Sequence, residues 1–177
     1  MRSTKFLSTS SITTSTSSTA RRLRNIAVER YLSRRPHSSY EVQTKLRRLR
    51  ERPSLSVIQE TVNSLTKDKL LDDTSFATFF TASRIEHRSR SKRELIHELR
   101  VKGVDAETIT KTISASMHDE NVACEKAASK KPRSTEKELR MYLLRKGFDF
   151  STINQFMIKR EETRKNESST QGITLLK

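Results

Sequence analysis

Tryptophan is absent from the chain, and cysteine occurs once, as Cys124. One cysteine excludes an intramolecular disulfide and any cysteine-rich zinc site. Its setting, "NVACEKAA", reads as helix, so a half-buried structural thiol is expected. The four histidines, His37, His87, His97 and His118, fall at no metal-ligand spacing. No nucleophile–base pair or phosphate loop occurs, so neither catalysis nor a cofactor is expected. No apolar run approaches the ~20 residues of a membrane span. Aromatic residues make up only 6 % and hydrophobic residues 32 %. That is thin for one large core and suits several small helical packets with narrow apolar seams. Acids are missing from the start of the chain: none precedes Glu29, in a segment rich in Ser and Thr that carries Arg and Lys. Such a leader has the composition of an organelle transit peptide, or of a flexible tail. Residues 1–20 are therefore expected to stand outside the fold as a disordered tail. The expected location is cytoplasmic for a bacterial chain, and mitochondrion or plastid if residues 1–24 are a transit peptide.

Positive charge dominates what is present. The formal net charge is +15 over 177 residues. A surface of this kind implies a polyanion or an acidic protein as partner. No stretch shows the two-residue alternation of a strand, and the chain reads as helix after helix. Ser38-x-x-Glu41, Ser91-x-x-Glu94 and Thr135-x-x-Glu138 each match the capping box, in which hydroxyl and carboxylate cap each other's backbone N–H. Each is followed at once by a hydrophobe (Val42, Leu95, Leu139) and four residues later by a leucine (Leu46, Leu99, Leu143). Residues four apart share a helix face, so all three helices present the same seam.

Glycine is scarce, with three residues in all. Two of them, Gly103 and Gly147, stand four residues after the second seam leucine, in "ELRVKGVDAETI" and "YLLRKGFDFSTI". Glycine enters the left-handed region at little cost and suits a helix stop. Asp105 and Asp149 then start a second helix, with seam pairs Ile109/Ile113 and Ile153/Met157. The first copy has Arg50 at the glycine position and a longer connector holding Pro53. Third helices are expected after the aspartates of "LLDDTSFA" and "SMHDENVA". The third copy ends in polar sequence, expected to fray or form a short helix.

The fold class expected is all-α: three tandem three-helix repeats that stack on their neighbours. The expected division is residues 21–83 (a leading helix plus the first repeat), 84–131, and 132–177 with a frayed C-terminus.

The phrases "YLSRRPHSSYEVQTKL", "LLDDTSFA", "ELIHELRVKGVD" and "LRMYLLRKGFD", in this order over residues 25–160, resemble the RecX family, regulators of the recombinase RecA. The resemblance rests on Arg35, Ser38, Glu41, Val42, Lys45 and Leu46, on Leu71, Asp72, Asp73, Phe76 and Ala77, on Glu98, Leu99, Lys102 and Gly103, and on Leu143, Gly147 and Phe148. It implies an elongated, curved array of the tandem three-helix units, and binding in the groove of a RecA–single-stranded-DNA filament. It implies hindered filament growth and lowered ATPase, strand-exchange and coprotease activities, with no enzymatic activity of its own. The partners expected are thus RecA and, through the filament, single-stranded DNA. No membrane is expected, and the chain is expected to be a monomer.

Basic residues recur in every repeat near helix ends and linkers. The candidate partner or nucleic-acid surface is Arg34, Arg35, Arg47, Arg48, Arg50, Arg84, Arg88, Arg90, Arg93, Arg140, Arg145 and Lys146. Few aromatics interleave them, so backbone and filament-shape recognition is expected over base stacking. Ser38, Glu41, Ser91, Glu94, Gly103, Thr135, Glu138 and Gly147 are assigned structural roles. The competing reading is a helix-turn-helix protein acting directly on duplex DNA, since capped three-helix units serve that purpose too.

Overall fold

The structure, a computed structural model, describes the backbone of residues 10–174 and the side chains of residues 18–165, Arg88 and Met117 excepted in both. Among the described residues every regular element is helical. The order is α1 (Ser10–Ala27), a π-helical turn (Val28–Leu32), α2 (Ser39–Arg47), α3 (Leu55–Lys67), α4 (Asp73–His87), α5 (Lys92–Val101), α6 (Ala106–Ala115), α7 (Glu120–Ala128), α8 (Glu136–Arg145) and α9 (Phe150–Thr174). Helix α1 begins at Ser10, inside the segment set aside as a tail, and residues 1–9 lie outside the described residues.

The three capped helices form where their sequence signals stand. The Ser38 hydroxyl accepts from the Glu41 N–H at 3.1 Å, Ser91 from Glu94 at 3.2 Å and Thr135 from Glu138 at 3.3 Å. The reciprocal half of the box closes only at Thr135, whose N–H reaches the Glu138 carboxylate at 2.9 Å. Glu41 and Glu94 turn instead to neighbouring cations. The second helices start on Ser54, Asp105 and Asp149, each accepting from the N–H three residues on. The third helices carry the expected aspartate caps. The Asp72 carboxylate accepts from Thr74 N–H, and Asp119 from Asn121 and Val122.

Both glycines lie in the left-handed region, with φ 76° at Gly103 and 80° at Gly147. At the end of α8 the Phe148 N–H closes onto the Leu143 carbonyl at 3.2 Å, as a Schellman stop requires. In the first copy the left-handed residue is Arg52 (φ 44°), two positions beyond Arg50. The polar end of the chain forms no separate third helix among the described residues. Helix α9 runs without a break from Phe150 to Thr174; no proline falls within it, and Gly172 comes only in its last turn.

The chain divides into two compact units: Met1–Phe79 with Arg100–Thr108, and Phe80–Leu99 with Ile109–Lys177. The core of the first is built by Leu23 and Ala27 of α1, Val42 and Leu46 of α2, and Val57, Ile58, Val62 and Leu65 of α3. In the second, Ala123, Cys124, Ala127 and Ala128 of α7 meet Leu139 and Leu143 of α8 and Ile153 and Met157 of α9. Each fully buried leucine or isoleucine contributes about 1.5–3 kcal/mol. These cores group α1–α3 and α7–α9. The division expected from sequence, residues 21–83 with the leading helix included, 84–131 and 132–177, counts in the same three-helix period, and such a pattern looks alike wherever the unit is cut. Only packing decides which neighbour covers a seam.

Cys124 is fully buried. Burial, with the carboxylates of Glu120, Glu125 and Asp149 nearby, pushes its thiol up to about 12, which makes it an inert core group.

Candidate functional site

The basic surface is carried on helices whose ends are locked by a contact that repeats once in each unit. In the first unit the Ser38 hydroxyl, already capping α2, donates to the Lys102 carbonyl at the end of α5 (2.6 Å). In the second, the Ser91 hydroxyl, capping α5, donates to the Lys146 carbonyl at the end of α8 (2.8 Å). The start of one capped helix thus seats the stop of the next. A Cβ added to Gly103 would lie 2.3 Å from the Cβ of Tyr40, and one added to Gly147 would lie 2.9 Å from the Ser91 hydroxyl. Glycine is therefore required twice over, for its conformation and for close approach. A second repeating bond pins the third helices. Ser39 N–H donates to the Asp73 carboxylate at 2.7 Å, and Lys92 N–H to Glu120 at 3.0 Å.

Around the first of these joints the charges are tightly coupled. Glu41 is 9 % exposed and sits between Arg35 (3.1 Å) and Lys102 (2.6 Å). Burial alone would raise its carboxyl, but the two cations hold it down at about 2. His37, just before the cap, is buried. Its Nδ1 lies 2.9 Å from the Arg35 carbonyl and its Nε2 3.0 Å from Lys45 Nζ. Desolvation, with the Arg35 and Lys45 charges beside it, keeps the imidazole below its ordinary range and so neutral. The Nδ1–H then donates to the carbonyl and Nε2 accepts from the ammonium. Lys45 also lies 4.5 Å from the centre of the Tyr31 ring. None of these partners of Ser38 and Glu41 was legible in the sequence, except that Lys102 and Arg35 were basic.

The twelve candidate surface residues fall into distinct groups. Arg34, Arg47, Arg48 and Arg50 in the first unit, and Arg93 and Arg145 in the second, are exposed, with no ion-pair partner among the described residues. Four others are bound within the fold. Arg35 holds Glu41. Arg84 bonds Glu98 at 2.7 Å and lies 4.4 Å from the centre of the Phe80 ring. Arg90 is largely buried, pairs with Glu94 and with Glu98 (3.0 Å), and its carbonyl takes a hydrogen bond from His118 Nε2 (2.7 Å). Arg140 bonds Glu136 and Asn154. Lys146 is half-buried, its ammonium 5.9 Å from the Tyr142 ring centre. Arg88 lies outside the described residues. The i,i+4 spacings Arg90–Glu94 and Glu136–Arg140 were visible signs of pairing. The Arg84–Glu98 bridge, fourteen residues apart, carried no such sign. Among the described residues no group of three or more His, Cys, Asp or Glu could hold a metal ion. No helix among them is long and apolar enough to cross a membrane.

This frame matches known proteins. A family model described as "RecX, second three-helix domain" matches residues 72–113, which span α4, α5 and α6. A "Regulatory protein RecX" of Chlorobium phaeobacteroides is 35 % identical over 133 residues, covering 71 % of this chain and 85 % of that protein. The chain belongs to the RecX family. Another "Regulatory protein RecX", from Bacillus velezensis, is 32 % identical over 158 residues, or 84 % of this chain and 59 % of that protein. The chain thus spans about three-fifths of the length of this relative and of the one from Bacillus subtilis. Crystal structures of RecX share the fold. One, titled a regulatory protein RecX, covers 89 % of this chain and 81 % of its own length (TM-score 0.71, 17 % identity). That from Lactobacillus salivarius covers 79 % and 95 % (TM-score 0.65, 21 % identity). These relatives are named regulatory proteins.

Proposed function

We propose that this RecX-family chain binds a RecA–single-stranded-DNA filament as a monomer and restrains it. It hinders filament growth and lowers the ATPase, strand-exchange and coprotease activities, wherever in the cell such filaments form. The observation that carries the reading is the run Arg47, Arg48 and Arg50 at the end of α2. It is exposed and lacks ion-pair partners among the described residues; Arg47 closes α2, whose opposite end is fixed by the Ser38–Lys102 joint, and Arg48 and Arg50 stand in the turn that follows. Cations held on a rigid element can track phosphates and acidic protein edges without losing much side-chain order. Arg34, Arg93 and Arg145 extend the same supply of uncommitted charge. Arg35, Arg84, Arg90 and Arg140 support the surface from within.

The test is the ATPase of RecA on single-stranded DNA with substoichiometric protein. Slowed hydrolysis and shorter filaments are the expected results. Unchanged hydrolysis and unchanged filament length would refute the proposal. Tight, salt-resistant binding to one duplex sequence would instead favour a helix-turn-helix protein acting on duplex DNA.

A further inference from the structure

The end of α3 carries a residue that its backbone conformation disfavours. Lys69 has φ 56°. It occupies the place in the helix stop that glycine takes after α8. Lys69 N–H bonds the Thr66 carbonyl and Leu70 N–H the Leu65 carbonyl, as Gly147 N–H bonds Leu144 and Phe148 N–H bonds Leu143. A Cβ in this region is strained and glycine is not. The reason for a lysine is therefore to be sought in its side chain.

That side chain is exposed and has no ion-pair partner among the described residues. It lines a cavity of about 370 Å³ that Arg34, also uncommitted, lines too. Leu32 and Leu70 add apolar surface, and Leu70 is 45 % exposed. Arg35, on the same cavity, is occupied by Glu41. The one acid on the lining, Asp72, is turned to its own helix, accepting from Thr74 N–H at 2.9 Å and from the Ser75 hydroxyl at 2.6 Å. Two free cations over a partly apolar floor suit a singly charged phosphodiester with its sugar. The remaining acid disfavours a denser anion.

We infer that Lys69 and Arg34 seat one phosphodiester group of a single-stranded DNA backbone, with Lys69 holding a strained conformation to present its charge. This rests on the reading of the chain as a binder of a nucleoprotein filament. It adds a direct DNA contact at a stated place.

The experiment is fluorescence anisotropy of the full chain on a labelled oligo-dT across a salt series, with thermal unfolding of each variant. Lys69→Gly is expected to bind several-fold more weakly and to flatten the log–log salt slope by part of the about 0.7 that one single-strand phosphate carries, since Arg34 still faces that phosphate; Lys69→Gly combined with Arg34→Ala should lose the full amount. Relief of strain should raise its melting midpoint by about 2 °C. Lys69→Asn, uncharged and tolerant of the left-handed region, should lose the same affinity. Lys69→Arg should keep affinity and slope. An unchanged slope in Lys69→Gly, a lowered midpoint in that variant, or no oligo-dT binding by the wild type would each overturn the inference. Displacement by an acidic peptide at concentrations where unlabelled oligonucleotide fails to compete would overturn it as well. RecA ATPase assayed in parallel separates the two levels. A wild type that slows RecA while Lys69→Gly keeps its salt slope removes the phosphate seat and leaves the filament reading intact.

Discussion

Gly103 and Gly147 share a backbone conformation but not a neighbourhood. Their substitutions should differ accordingly. Gly147→Ala forces a left-handed alanine, at about 1–2 kcal/mol, against the hydroxyl of Ser91. Gly103→Ala adds a collision with the Cβ of Tyr40 at 2.3 Å and should be the more destabilising by urea denaturation. Tyr40→Ala retains that Cβ and should not rescue it. Equal losses at the two sites would contradict the close-approach argument. Protons act at the same joint. His37 is held below its ordinary pKa of 6.5, so the unfolded chain takes up the proton first; its share of stability is present above that range and is lost as pH falls below it. Glu41, held at about 2 against an ordinary 4.5, contributes stability above 4.5 that is lost as pH falls toward 2. The urea midpoint should therefore drop in two stages on acidification. His37→Gln should remove the upper stage and Glu41→Gln the lower. At this scale the sequence marked Ser38, Glu41 and both glycines as helix punctuation. It did not show their second role, because Lys102 lies sixty-four residues from Ser38 and comes near only through folding.

Within single elements the sequence pattern was a sound guide to burial. Leu95, Leu99, Leu139 and Leu143 of the capped helices are all fully buried, whereas Leu144, one position on, is 42 % exposed. Leu143→Ala should therefore cost about 2–5 kcal/mol. Leu144→Ala should stay within about 0.5 kcal/mol of the wild type. Chemical denaturation of both variants checks the assignment of the seam. Helix ends were legible where glycine or a hydroxyl marked them. They were not where the signal was weak. Helix α1 begins at Ser10 in a Ser/Thr-rich run with no apolar periodicity to announce it, and α9 continues through a polar segment read as a fray or a short helix. In both cases the helix is extended outward from a part anchored in a core, by Leu23 and Ala27 in one and by Ile153 and Met157 in the other.

Across the whole molecule, a formal charge of +15 makes attraction to an anionic partner general and salt-sensitive. The distribution of that charge decides which substitutions report on binding. Reversal of Arg47, Arg48 and Arg50 to glutamate should leave the unfolding midpoint nearly unchanged and abolish the slowing of RecA ATPase, since none of the three has an ion-pair partner to lose among the described residues. Arg90→Ala should instead destabilise the fold by about 1–3 kcal/mol, because it strands the part-buried carboxylate of Glu94, while Glu98 keeps Arg84. A stable Arg90→Ala protein that had lost only its effect on RecA would move Arg90 back to the outer surface.

By itself the sequence determined the helical class, the three capped starts, the two glycine stops and the excess of positive charge, because caps, stops and seams depend on residues within about five positions of one another. Tertiary structure alone decided which helices cover each seam, which serine holds which carbonyl, and which arginines stay free. Those outcomes depend on groups far apart in the chain. A three-helix period has no privileged starting point until α1 and α7 cover the seams of the capped helices that follow them.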